Sequence, residues 1–284
     1  MTMRVRMPAT GTERVVDIER GVLGVIPYAA VGSGPPLVVC AGLWPVTGVA
    51  GDGFVRGALG PVRGLAARRR LVVLNRRADL PAGLTMAELA AEYADAVVGL
   101  EGPVDVLGAS TGGSIAQQLA ADHPHAVRRL VLLSTGCRLG PLARNLQGRV
   151  GVELRAGRTR TAVGLAATGL APAGLRAAAR GLGWVLAPRV IPTDTAAADL
   201  AATIEAEDGF DLAACQDAIQ VPTLIIGGGR DRFYDADLFR ETAALIPRSQ
   251  LQIFPRRGHL SVTTDRRAQA MIEGFVMAPE TVQR

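Results

Sequence analysis

The sequence predicts an α/β fold: a mostly parallel central sheet flanked by helices, with a helical cap inserted into it. Three observations carry this expectation. Short, continuously apolar runs recur along the chain, helical stretches separate them, and one long interval contains no strand-like run. Continuous apolar runs of this length belong to strands buried on both faces, as in a parallel sheet. Their alternation with helices is the mark of α/β architecture.

In chain order, residues 13–19 and 24–30 alternate loosely and contain Val, Ile and Tyr, which predicts two early antiparallel strands. Gly32-Ser33-Gly34-Pro35 is a turn. Apolar strands are then expected at residues 36–40, 71–74, 104–107, 130–133, 223–226 and 250–254, with helices at 85–100, 114–123 and 238–245. From Cys137 to about Asp208 the chain is rich in Ala, Gly, Leu and Arg and has no strand signal. A structureless loop of that length is foreign to a compact domain. The expected organisation is therefore a core of residues 1–136 and 209–284, with a cap or lid at 137–208.

Composition excludes several classes. Of 284 residues, 49% are hydrophobic and 20% charged, so the chain is not disordered. The formal net charge is +5 and every basic residue is Arg. These Arg are spread along the chain and aromatics are only 4%, which argues against nucleic acid as a partner. Cys40, Cys137 and Cys215 are widely spaced, without a C-x-x-C, so neither a disulfide framework nor a zinc site is expected. Residues 1–12 carry Arg4 and Arg6 but no apolar h-region follows, and the uncharged stretch 161–175 is too short for a membrane span. A soluble cytoplasmic protein with no membrane partner is expected, and a homodimer is compatible with these features.

The chemistry centres on Gly108-Ala109-Ser110-Thr111-Gly112, a G-x-S-x-G between an expected strand and helix. So sharp a turn puts the Ser110 hydroxyl at the end of the strand, and small residues on either side let strand and helix approach. A serine hydroxyl needs a base. His123 and His125 follow a helix of about ten residues, roughly 15 Å of rise, and so fall at the opposite edge of the sheet. His259 follows the last expected strand, in Pro255-Arg-Arg-Gly258-His259. Parallel strands end on one side, which brings Ser110 and His259 to the same rim. In an architecture of this kind the acid lies between nucleophile and base. Asp231, in Gly227-Gly-Gly229-Arg230-Asp231, is the leading candidate and Asp235 the rival, though Asp235 also suits a helix cap. A tetrahedral intermediate needs two backbone donors. These are expected from Thr111, after the nucleophile, and from Leu43 in Ala41-Gly42-Leu43-Trp44.

With these segments, and with Gly32 to Cys40, Val221 to Asp231 and Gly258-His259, the sequence resembles the α/β-hydrolase family outside the cap. The resemblance implies Ser110 as nucleophile, Asp231 as acid, His259 as base, and the amides of Leu43 and Thr111 as the oxyanion hole. One departure is that many members carry His-Gly where this chain has Ala41-Gly42. Relatives that open epoxides or remove halides carry Asp at the elbow, so Ser110 directs the expectation to acyl chemistry. Trp44 and Trp184 are candidate apolar walls for the substrate, the alternative being plain packing. Arg76, Arg77, Arg230, Arg232, Arg256 and Arg257 cluster at strand ends, where they form either a solvated surface or a positive rim that attracts anionic substrates.

The expected function is a serine hydrolase that cleaves a small apolar ester, thioester or lactone through an acyl-enzyme, with no metal or organic cofactor and a small-molecule acyl substrate as its partner. The alternatives are a carbon–carbon hydrolase or cofactor-free lyase using the same residues, and a ligand-binding homologue without turnover.

Overall fold

In β4 (Pro36–Cys40), Leu37 and Val39 enter one buried cluster while Val38 and Cys40 enter another. In β7 (Val127–Leu133), Leu130 and Leu132 divide from Val131 and Leu133 in the same way. Successive side chains of a strand point to opposite faces. The central strands therefore carry unbroken apolar runs because each face has its own core.

The computed structural model describes residues 3–7, 14–100, 102–171, 173–215 and 219–279. Besides β4 and β7, the strands are β1 (Met3–Met7), β2 (Arg14–Leu23), β3 (Ile26–Val31), β5 (Arg70–Leu74), β6 (Val104–Ala109), β8 (Thr223–Gly228) and β9 (Ser249–Phe254). Among the described residues they form one nine-stranded sheet in the order β1-β2-β3-β5-β4-β6-β7-β8-β9. Every pairing from β5 to β9 is parallel, and the β1, β2 and β3 edge is antiparallel. This is the α/β fold with a mostly parallel sheet that the apolar runs predict. β1 is an addition to that reading, which treats the first residues only as a leader candidate.

The helices are α1 (Asp52–Ala58), α2 (Met86–Val98), α3 (Thr111–Asp122), α4 (Pro141–Arg155), α5 (Thr159–Leu170), α6 (Arg176–Val190), α7 (Asp194–Asp208), α8 (Ala236–Leu245) and α9 (Arg266–Met277). α2 begins with a capping box between Thr85 and Glu88. α3 starts at Thr111, three residues before the expected start, so Ser110 is itself the helix N-cap. α4 to α7 all fall between β7 and β8. They enclose a third apolar cluster containing Val150, Leu154, Val163, Leu200 and Ile204, against which Leu43 packs. Among the described residues no helix is long and apolar enough to cross a membrane.

Asp105 is the one acid within the central apolar runs, and it is 1% exposed. Arg69 donates to it at 2.6 Å and Arg128 at 2.8 Å. A buried carboxylate persists only when paired and hydrogen-bonded. This trio sits at the amino end of β6, leaving the carboxyl end free for the elbow.

Candidate active site

Ser110 links β6 to α3 with φ 53° and ψ −128°, a conformation that L-residues rarely adopt. The surrounding glycines make it feasible. A Cβ on Gly112 would stand 2.1 Å from the carbonyl oxygen of Cys40, and one on Gly108 would stand 2.5 Å from that of Gly112. Strand and helix meet backbone to backbone, and the serine hydroxyl is left at the end of β6. The Ser110 amide donates to the Leu133 carbonyl at 3.0 Å, fixing the elbow against β7.

His259 and Asp231 reach this hydroxyl from two loops that are tied together. The Arg230 amide donates to the Arg257 carbonyl at 2.8 Å and the Gly229 amide to that of Phe254 at 2.8 Å. The Ser134 hydroxyl donates to the His259 carbonyl at 2.9 Å. Asp231 Oδ1 accepts from the amides of Phe233 at 2.8 Å and Tyr234 at 3.2 Å. Its Oδ2 lies 2.8 Å from His259 Nδ1. A carboxylate only accepts, so Nδ1 carries the ring proton and Nε2 is the acceptor. Nε2 lies 3.1 Å from Ser110 Oγ. Phe233, with ring centroids 4.8 Å apart, and Tyr234, stacked at 6.1 Å, pack on the imidazole. The arrangement can move a proton from the Ser110 hydroxyl to a ring whose opposite nitrogen is held by an acid.

Asp235 accepts from the amides of Asp237 and Leu238 and caps α8, so it stays outside this relay. His123 and His125 lie at the far end of α3 and in the short turn after it.

Ser110 and His259 open into a cavity of about 420 Å³. Its walls come from the loop after β4 (Leu43, Trp44), from β7 (Leu133) and from α4, α5 and α7 (Leu146, Val150, Leu170, Ile204). Among the described residues no Asp, Glu or Arg lines it. Trp44 stands in this wall, edge-on to Phe54 at 5.4 Å. Trp184 does not. It lies on α6, 49% exposed, with Arg160 4.7 Å over its ring, and borders a separate surface cleft. The expectation that Trp184 walls the substrate is corrected: α6 turns that face outward.

The arginines at the strand ends stand outside this cavity, and three of the six are engaged elsewhere. Arg76 is 2% exposed, donates to the Trp44 carbonyl at 2.7 Å and has its pKa lowered to about 10 by burial. Arg77 is paired with Glu92, and Arg257 with Asp265. None of the six named arginines lines the cavity.

The loop that carries Leu43 lies beside the nucleophile. A Cβ on Gly42 would come 3.4 Å from that of Ser110. The Trp44 amide closes a tight turn onto the Gly42 carbonyl at 2.7 Å, with Leu43 at its centre. Asn75 braces the loop through the carbonyls of Val46 at 2.9 Å and Gly48 at 2.8 Å. Thr111 is the first residue of α3, where backbone amides have no intrahelical partner and the helix dipole favours negative charge.

Sequence reasoning missed two buried acids that hold the loop after β4 and the first turn of α3. Glu207 is fully buried and accepts from Thr111 Oγ1 at 2.7 Å, Ser114 Oγ at 3.2 Å and the Tyr234 hydroxyl at 2.9 Å. Burial raises its pKa. Asp199, 1% exposed, accepts from Thr47 Oγ1 at 3.0 Å and from the Leu80 amide at 2.9 Å. The available signal was spacing: Asp199, Thr203 and Glu207 recur every fourth residue, a polar stripe along one helix.

The sequence matches the Alpha/beta hydrolase family over residues 37–273. No curated protein matches it. Among solved structures, the chain is similar to a hydrolase from Pseudomonas aeruginosa PA01, with a TM-score of 0.71 and 23% identity over 97% of this chain and 98% of that one. It is also similar to the enol-lactonase from Burkholderia xenovorans LB400, with a TM-score of 0.68 and 20% identity over 91% and 98%. A thermophilic esterase from Thermogutta terrifontis gives a TM-score of 0.65 and 21% identity over 96% and 98%. At these identities the likeness is one of fold.

Proposed function

Because the chain belongs to the alpha/beta hydrolase family, we propose that it is a serine hydrolase acting on a small, uncharged ester, thioester or lactone. The observation that carries the reading is the Ser110–His259–Asp231 relay, with steps of 3.1 and 2.8 Å, opening into a cavity without charged walls. The esterase and the lactonase of like fold support the same choice of bond.

Ser110 Oγ attacks the acyl carbonyl as its proton passes to His259 Nε2. Asp231 holds the ring with Nδ1 protonated and stabilises the imidazolium. The oxyanion that forms takes hydrogen bonds from the amides of Leu43 and Thr111. Nε2 then returns the proton to the leaving oxygen or sulfur. Water enters, gives a proton to the same nitrogen and attacks the acyl-enzyme, and collapse of the second tetrahedral intermediate frees the acid and Ser110. The apolar walls bind the acyl chain by burial, roughly 0.8 kcal/mol per methylene.

A panel of p-nitrophenyl esters of increasing acyl length, run on the wild type and on Ser110→Ala, tests the reading. Turnover by the wild type and its loss in the variant are expected. Equal turnover in both would refute the nucleophile assignment.

A further inference from the structure

We propose that α7 is a two-point clamp on the oxyanion hole, with Asp199 positioning the loop that carries Leu43 and Glu207 positioning Thr111. The inference rests on the serine-hydrolase reading of the same site and adds two positioning residues to it.

The two acids are 1% and 0% exposed. Burying a carboxyl group is costly unless hydrogen bonds hold it, and the partners show what is gained in return. At one end, Asp199 takes the Thr47 hydroxyl at 3.0 Å and the Leu80 amide at 2.9 Å. Thr47 lies four residues after Leu43, in the loop already tied to Asn75 and Arg76. Asp199 also acts electrostatically on Arg76, whose guanidinium holds the Trp44 carbonyl at 2.7 Å. At the other end, Glu207 takes the Thr111 hydroxyl at 2.7 Å and the Ser114 hydroxyl at 3.2 Å, both on the first turn of α3. Its third partner, Tyr234, gives its amide to Asp231 and stacks on His259. The acids are separated by eight residues, about 12 Å of helix. One rigid element thus reaches both sides of the hole. Leu43 itself packs against the cluster that contains Leu200 and Ile204 of α7. Two donors contributed by segments far apart in sequence need a common reference, and α7 supplies it.

Asp199→Ala and Glu207→Ala, with the rescuing variants Asp199→Asn and Glu207→Gln, test the clamp. Three readouts are needed: kcat and KM on p-nitrophenyl butyrate, the Ki of a butyl trifluoromethyl ketone, and the Ki of an unreactive ether of equal length. The ketone becomes a hemiketal oxyanion on Ser110 and reports the hole, whereas the ether reports only the cavity. Each Ala variant should lose about 10–100-fold in kcat and in ketone affinity, a fraction of what deleting an oxyanion donor costs. KM and ether affinity should stay within about 3-fold, since only interactions stronger in the transition state are lost. Asn and Gln should recover most of the loss. Thr47→Val, which removes a single hydroxyl from the chain of contacts, should show the same split in smaller measure and covers the case in which an Ala variant does not fold. Unchanged ketone affinity in the variants, or parallel loss of ketone and ether, would overturn the proposal. A wild type that neither turns over the ester nor binds the ketone sinks the serine-hydrolase reading, and the clamp with it.

Discussion

His259 Nε2 stands 3.1 Å from Ser110 Oγ, although 149 residues separate the two along the chain. The contact depends on two strand ends, β6 and β9, opening on the same rim of a parallel sheet, and on the loops after β8 and β9 being tied to each other.

Asp231→Asn retains the loop geometry but can offer its amide nitrogen to His259 Nδ1. That favours the tautomer with the proton on Nε2, the wrong side for accepting from Ser110. A fall in kcat of about 10³–10⁴ is expected, with little change in Tm. A variant within tenfold of wild type in steady-state assays would show that the acid is not orienting the ring.

Gly112→Ala introduces a Cβ 2.1 Å from the Cys40 carbonyl oxygen and 2.6 Å from that of Ala41. Both obstacles are backbone, so relief requires α3 to move off β4. A loss of about 3 kcal/mol is expected, seen as a Tm drop on the order of 10 °C, together with loss of activity. Calorimetry giving a wild-type Tm would mean that the elbow is looser than its contacts imply.

Val150→Phe places a larger apolar group in the cavity wall contributed by α4. Relative to the wild type, kcat/KM for p-nitrophenyl octanoate should fall at least tenfold more than for the acetate. Equal effects on both esters would place the acyl chain elsewhere.

Glu207 makes a prediction about pH. Its native pKa lies above the ordinary 4.5 because burial disfavours the ionised form. Below 4.5 both the native and the unfolded carboxyl are protonated, and its contribution to stability is fully present. As pH rises towards the native pKa, the unfolded form ionises first, and that contribution is lost. Its titratable neighbour is Tyr234, whose own pKa is raised well above 10, and its other partners are the uncharged Thr111, Ser114 and Gln147. Glu207→Gln cannot ionise. Its stability relative to wild type, from urea unfolding between pH 4 and pH 8, should therefore climb with pH. A difference that is flat or falls would mean that folding does not raise the pKa of this carboxyl.

Much of this architecture was legible because the residues responsible act locally or through simple periodicity. The apolar runs located β4 to β8, since strands covered on both faces are largely apolar, and Leu251, Ile253 and Phe254 marked the half-buried edge strand β9. The strand–glycine–serine–glycine–helix order located the elbow, since few residues tolerate the backbone approach seen at Gly108 and Gly112. What escaped depends on orientation in space. Trp184 and Trp44 look alike in sequence, but α6 turns one towards solvent and the loop after β4 turns the other into the cavity. Arg76 and Arg77 are adjacent, yet one is buried beneath the Leu43 loop and the other pairs with Glu92 near the surface. Asp199 and Glu207 sit among the acids of an Ala-rich helix and resemble a solvated face until that helix is packed.

The most direct test of the central claim is covalent labelling. The wild type and Ser110→Ala are treated with a fluorophosphonate probe at neutral pH, and the adduct is mapped by peptide mass spectrometry. The account predicts one adduct, on Ser110, absent from the alanine variant and greatly slowed in His259→Ala. Labelling that persists in Ser110→Ala, or a folded wild type that takes up no probe, would contradict it.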